Sequence, residues 1–352
     1  MKLTISQKYK LKQFTWITTI GIVIGFLYPS IEDGWGEAFP LINGTLAGFI
    51  IGILVASLEL LLFTGNLRRI PFTQIFMLRV GIYFILAFFI TFGIFLFSRM
   101  FRFDLSYSEV LRSDEFQNYL SNYYHLVLIF CFLVIALCVF TLQMARKLGF
   151  SNLVAFITGK YRSPRKQNRI FMFISLGGID EIIRRTGNMA LHNFINDFIH
   201  DMSDTIRIHR GTLTQYMEDE IVITWRFKTG IENANCIRTY FHLCHEIVGH
   251  FEEYYSKYGL LPKPKCAIHA GSVIKAEIGE IKSEISFFGD VINTTSRILH
   301  EGVKRGIDIL VSQSVMDVVE LPRYFKTQAR GSFTARGKKN SIQLFSLHIN
   351  RE

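Results

Sequence analysis

The sequence predicts a membrane all-α half of four transmembrane helices, followed by an α/β domain with a mixed or antiparallel sheet. Three observations carry this expectation. Four long apolar stretches fill the N-terminal half. Basic residues flank alternate connections between them. From Arg169 onward, short β-rich runs alternate with segments of helical periodicity.

The chain has 352 residues, 49% of them hydrophobic and only 19% charged, with a mean hydropathy of +0.26. A soluble domain carries about 25% charged residues, so part of this chain avoids water. The length suits about two structural units. The first apolar run begins near Phe14, with no small-residue cleavage site after it, and reads as an anchor rather than a cleaved leader.

The apolar stretches run over Phe14–Tyr28, Leu41–Thr64, Phe76–Phe101 and Tyr123–Met144. Most are long enough to cross about 30 Å of hydrocarbon at 1.5 Å per residue, the first being the shortest. Trp16, Trp35, Tyr123 and Tyr124 lie near span ends, where amphipathic rings prefer the interface. Glu59 is an acid deep in an apolar run. It is either a ligand or proton site, or a carboxylate satisfied by a neighbouring helix or by Arg79. His125 stands alone and reads as structural.

The net charge of +10 suggests nucleic acid until it is located. Lys2, Lys8, Lys10 and Lys12 precede the first span. Arg68, Arg69 and Arg79 lie between or at the edges of the second and third. Arg146, Lys147, Lys160, Arg162, Arg165, Lys166 and Arg169 follow the fourth. None of these stretches holds an acid, whereas the other connections carry Glu32, Asp33, Glu37, Asp104, Glu109, Asp114 and Glu115. This is the positive-inside pattern. It places both termini and the α/β domain on the cytoplasmic side of the inner membrane, with the bilayer rather than nucleic acid as the partner. The five cysteines show no Cys-x-x-Cys spacing and read as reduced thiols.

A transmembrane domain at 1–144, a basic connector at 145–168 and a soluble domain at 169–352 follow. Gly159, Ser163 and Pro164 break the connector. The soluble part reads as strand Ile170–Leu176, helix Glu181–His209, and a hairpin of Thr212–Met217 and Ile221–Trp225. Then come helix Asn233–Lys257, strands Pro264–Ala270, Ser272–Ala276 and Ile285–Phe288, helix Val291–His300, strand Ile307–Val311 and closing strand Ser341–Leu347.

Four segments of this domain carry a resemblance: Phe171-Met172-Phe173-Ile174-Ser175-Leu176-Gly177-Gly178, Gln215-Tyr216-Met217-Glu218-Asp219-Glu220, Phe288-Gly289-Asp290-Val291-Ile292-Asn293-Thr294-Thr295-Ser296-Arg297, and Ala335-Arg336-Gly337-Lys338. Together they resemble the class III nucleotidyl cyclase homology domain, above all the membrane-anchored adenylate cyclases of bacteria. The most specific segment is similar to the family's Gly-Asp-x-x-Asn-x-x-x-Arg helix. The resemblance implies conversion of a nucleoside triphosphate, ATP in preference to GTP, to a 3′,5′-cyclic nucleotide and pyrophosphate. It implies Mg²⁺ or Mn²⁺ held by paired aspartates. It also implies a site shared between two chains, either a homodimer or a heterodimer with another cyclase-domain chain.

Carried over by position, Asn293 orients the ribose and Arg297 stabilises charge on the α-phosphate. Asp219 is a metal ligand. Gln215 and Ser286 stand at the purine-reading positions. Asp290, Arg336 and Lys338 belong to the nucleotide-binding set. Departures are equally specific. Ser175 occupies the first metal-aspartate position, and a neutral hydroxyl is a poor substitute for a carboxylate. Glu218 replaces the glycine before Asp219 and is itself a possible ligand; Asp180 would have to fold back to help. The expectation is therefore a cyclase-like protein impaired in autonomous catalysis, serving as a regulatory or heterodimer half. The competing readings are an active adenylate cyclase with a remodelled metal site, and a dimerisation scaffold of a membrane sensor.

Two decoys are set aside. Gly177-Gly178-Ile179-Asp180-Glu181 has one residue too many for a diguanylate cyclase signature. His245-Glu246 with His250 is mis-spaced for a helical zinc site, since five residues turn a helix well past one face.

Overall fold

The computed structural model describes residues 5–32, 38–62, 70–217, 220–280, 284–334 and 341–350. The chain divides into two compact units, Met1–Thr158 and Gly159–Glu352.

The first unit is helical: α1 (Ile5–Glu32), α2 (Ala38–Leu61), α3 (Phe72–Phe103), α4 (Tyr107–Arg112), α5 (Asp114–Asn122), α6 (Tyr124–Leu148) and α7 (Phe150–Ile157). Among the described residues, α1, α2, α3 and α6 are long and apolar enough to cross a membrane. Helices α1 and α2 pack backbone to backbone through glycines. A Cβ on Gly48 would lie 2.2 Å from the Gly21 carbonyl oxygen, and one on Gly25 would lie 2.2 Å from that of Gly44. Such small-residue seams replace the hydrophobic drive that helix pairs lack in lipid. Glu59 of α2 is the satisfied carboxylate of the two alternatives. It pairs with Arg79 of α3 at 3.3 Å and accepts from the Tyr83 hydroxyl at 2.8 Å. Helix α3 meets α6 through the Tyr124 hydroxyl, which donates to the Phe88 carbonyl at 2.9 Å, and through the Phe84–Phe132 ring pair. The helix that carries the first span begins at Ile5, and the candidate span itself runs over Lys10–Pro29, starting a little before Phe14. The short helices α4 and α5 occupy what reads in sequence as a polar loop. Ser113 caps α5 by accepting from the Phe116 amide.

The second unit is built on a mixed sheet. Its elements are β1 (Arg165–Gly177), α8 (Ile179–Ile208), β2 (Thr212–Met217), β3 (Glu220–Arg226), α9 (Phe227–Ile231), α10 (Asn235–Gly249), α11 (Phe251–Tyr258), β4 (Lys263–Ile278), β5 (Glu284–Phe288), α12 (Asp290–Lys304), β6 (Ile309–Ser312), α13 (Gln313–Met316), β7 (Phe325–Phe333) and β8 (Ile342–Ile349). The strand order is β2-β3-β1-β4-β6-β8-β7, with β5 paired to β4. Only β4–β6 is parallel among the described pairs.

Strand β1 is central, and its two faces feed two cores. Ile170, Met172 and Ile174 join Phe194, Phe198 and Met202 of α8 and Ile237 and Leu243 of α10. Phe171 and Phe173 join Val291, Ile298 and Leu299 of α12. Burial on both faces explains why β1 reads as an unbroken apolar run.

Sequence periodicity differs from the structure in three places. Gly271 does not end a strand; it pairs in register with Arg169, and β4 runs through it for 16 residues. The helix expected over Asn233–Lys257 is two helices parted at His250. Asn233 and Ala234 hold φ of 52° and 54°, so α10 starts only at Asn235. Strand β7 escapes notice because, among its residues, Phe325 alone is buried.

Candidate nucleotide site

Residue Ser175 lies at the end of β1 and pairs directly with Glu220 of β3 and Lys265 of β4. Side chains alternate along a strand, so Ser175 shares the face of Phe171 and Phe173, the side covered by α12. Directly paired residues of an antiparallel ladder project to one face, which puts the Glu220 carboxylate there too. It turns onto α12, with an oxygen 3.3 Å from His300 Nε2 and both oxygens 3.5 Å from Ser296 Oγ. Its side chain is only 12% exposed. Glu218 and Asp219 lie outside the described residues. The flanking pairs, Met217↔Glu220 and Glu220↔Ser175, set the ends of β2 and β3 beside the end of β1.

Helix α12 presents Asn293 and Arg297, both exposed and one turn apart. The turn into this helix needs glycine. Gly289 has φ of 154°, and a Cβ there would lie 3.2 Å from the Ser272 carbonyl oxygen. A Cβ on Gly271 would lie 2.5 Å from Val291 Cγ2, so the first turn of α12 sits directly on the β4 backbone. Asp290 opens the helix and accepts a long bond, 3.5 Å, from Thr294. An acid there also complements the helix dipole.

Gln215 is exposed on edge strand β2. Ser286 is half-buried on β5, opposite Ala276. The described contacts do not bring these two together. Arg336 and Lys338 lie outside the described residues.

The described residues alone do not fit a two-ion centre. No group of three or more His, Cys, Asp or Glu side chains converges among them. Ser175 brings no charge, and the carboxylate across the ladder is engaged with Ser296 and His300. The structure thus places Asn293 and Arg297 one turn apart on α12 and an uncharged Ser175 side chain at the end of β1. Sequence reading passed over Glu220, Ser296 and His300. Ser296 and His300 are four apart on α12, a spacing that marks one helix face, but nothing in sequence says that Glu220 meets it.

The histidines of α10 form no metal cluster either. His209 Nε2 lies 3.2 Å from His242 Nδ1, and His242 Nε2 lies 3.3 Å from Glu246. Burial pushes His209 down to about 4, so it stays neutral.

Residues 162–348, more than half of the chain, match the family model for the adenylate and guanylate cyclase catalytic domain. The chain therefore belongs to the class III adenylate/guanylate cyclase family. A curated relative is adenylate cyclase 2 of Rhizobium meliloti (strain 1021), 29% identical over 211 residues. The match takes in 59% of this chain and 58% of that protein. A receptor-type guanylate cyclase of Caenorhabditis elegans is 34% identical over 76 residues, covering 22% of this chain and 6% of its own length. Among solved structures, the adenylyl cyclase CyaB from P. aeruginosa aligns with a TM-score of 0.46 at 13% identity, over 54% of this chain and 97% of that one. The guanylyl cyclase Cya2 aligns with a TM-score of 0.45 at 16% identity, over 52% and 92%.

Proposed function

We propose that this chain is a membrane-anchored member of cyclic-nucleotide signalling that binds a nucleoside triphosphate, ATP in preference to GTP. On this reading it serves as one half of a cyclase pair and not as a self-sufficient enzyme. The observation that carries the reading is the neutral Ser175 at the end of β1, facing a Glu220 turned toward α12, while Asn293 and Arg297 stand exposed together. Arg297 offers a fixed positive charge to a phosphate, and Asn293 an amide to a ribose hydroxyl. A homodimer would repeat the missing charge in both shared sites. A partner chain with both aspartates would complete one site with Mg²⁺ or Mn²⁺, Asp219 of this chain serving the other. The basic flanks of the four apolar helices favour the inner membrane, with the cyclase-family domain, the 145–168 connector and both termini cytoplasmic.

Nucleotide binding tests the reading. The full chain in detergent micelles is titrated with fluorescent ATP and GTP analogues. Saturable binding, tighter for ATP and weakened about ten- to a hundredfold by Arg297→Ala, is expected for loss of a charged hydrogen bond worth about 1.5–3 kcal/mol. Absence of binding to either analogue would leave the dimerisation scaffold as the better account.

A further inference from the structure

Tyr161 is only 5% exposed, although it sits in a run of basic and polar residues just before β1. Its carbonyl oxygen accepts from the Glu277 amide of β4 at 2.9 Å. Its ring carries the Lys275 ammonium 4.5 Å from the centroid. The same ammonium lies 5.0 Å from the centroid of Phe287 on β5, and the Arg169 guanidinium of β1 lies 4.8 Å from that ring. Lys275 and Arg169 are each 5% exposed. Cations buried this far normally meet a carboxylate; here aromatic faces receive Lys275, and Arg169 divides between the Phe287 ring and Gln167 Oε1, which accepts from its Nε at 3.0 Å. The other charges that reach Lys275 are Arg226 of β3 and Lys160 beside Tyr161, both positive.

The cage connects to the helix bearing Asn293 and Arg297. Phe287 packs edge-on against Phe171 at 5.6 Å. Phe171 lies in the core that includes Val291 and Ile298 of α12. The close approach of Val291 to Gly271 leaves α12 no slack on β4.

We propose that Tyr161 is a latch that fastens the segment before β1 onto the Lys275–Phe287 cage, and that its seating is transmitted through Phe287 and Phe171 to α12. The segment is the covalent route from residues 1–158 into the cyclase-family domain. A pull or twist arriving along it meets this cage first. A buried ring seated under the Lys275 ammonium either docks or leaves, and two such arrangements are what the latch requires of the segment. The inference stands whether or not the chain turns over substrate.

Hydrogen exchange of the full chain in detergent tests it. Tyr161→Ala is expected to raise amide exchange at least tenfold in residues 159–168 and in 284–304, leaving 235–258 on the opposite face of the sheet unchanged. Tyr161→Phe, which keeps the ring, is expected to match the natural chain. Should Tyr161→Ala fail to fold, Tyr161→Leu is read in the same segments. Loosening confined to 159–168 would overturn the coupling, and an equal rise in all three segments would reduce Tyr161 to ordinary core packing.

Discussion

Ser175 and Glu220 face each other across the β1–β3 ladder, and the Glu220 carboxylate bends away to reach Ser296 and His300 on α12. The end of β1 at Ser175 is thereby tied, through its ladder partner, to the helix that bears Asn293 and Arg297.

Glu220→Gln keeps the shape and removes the charge. Because His300 is largely exposed, its share of the contact is small. The loss falls mainly on the bonds from Ser296, and a destabilisation of about 1 kcal/mol is expected. Urea unfolding of the full chain checks it, and Glu220→Ala should cost more than Glu220→Gln.

Lys275 gives a pH signature. Burial, reinforced by Arg169, Arg226 and Lys160, pushes its ammonium down to about 8 from an ordinary 10.5. The unfolded chain therefore holds more protons than the folded one between those values, and stability rises with pH across that window. Lys275→Met removes the charge. Relative to the natural chain, its stability should be highest near pH 7 and should lose that relative advantage toward pH 10.5. Thermal midpoints of the two chains from pH 7 to 10.5 measure this difference. A gap independent of pH would show that Lys275 does not titrate there.

The Glu59–Arg79 pair is buried, at 1% and 3% exposure. Replacing one partner strands the other, at a cost of about 3–5 kcal/mol. Glu59→Leu or Arg79→Leu should each lower the thermal midpoint of the solubilised chain sharply. The double replacement should cost less than their sum, and strict additivity would argue against a direct pair.

The α1–α2 seam admits no side chain at its glycines. Gly48→Val would drive a Cβ into the Gly21 carbonyl. Separation of the two helices is expected, read as loss of a disulfide cross-link between cysteines placed on facing turns of α1 and α2. A conformationally similar exposed position, Gly81, has open space around its Cβ direction and should accept alanine without effect.

Much of this architecture is legible in sequence because it rests on local patterns. Apolar length marks the four helices, short unbroken apolar and β-branched runs mark β1 and β3, and the Gly289–Arg297 spacing marks α12. What stayed hidden depends on partners distant in the chain. Gly271 looks like a strand break until its neighbour Arg169 holds it in a ladder. The burial of Lys275 and Arg169 contradicts their polarity and becomes intelligible only when Phe287 is brought beside both and Tyr161 beside Lys275. Glu220 looks like a solvated turn residue until α12 packs over it. The polar outer face of β7 carries no periodic signal at all.

The central claim is that this chain has a competent Asn293/Arg297 half and lacks one charge at Ser175. The most direct measurement is cyclic-nucleotide formation from ATP and GTP, with Mg²⁺ and Mn²⁺, by the purified full chain and by Ser175→Asp. The account predicts that the natural chain is silent and that Ser175→Asp turns over. That activity should vanish when Asn293→Ala or Arg297→Ala is added. Turnover by the natural chain, abolished by either of those two replacements, would contradict it and show a self-sufficient cyclase with a remodelled metal site.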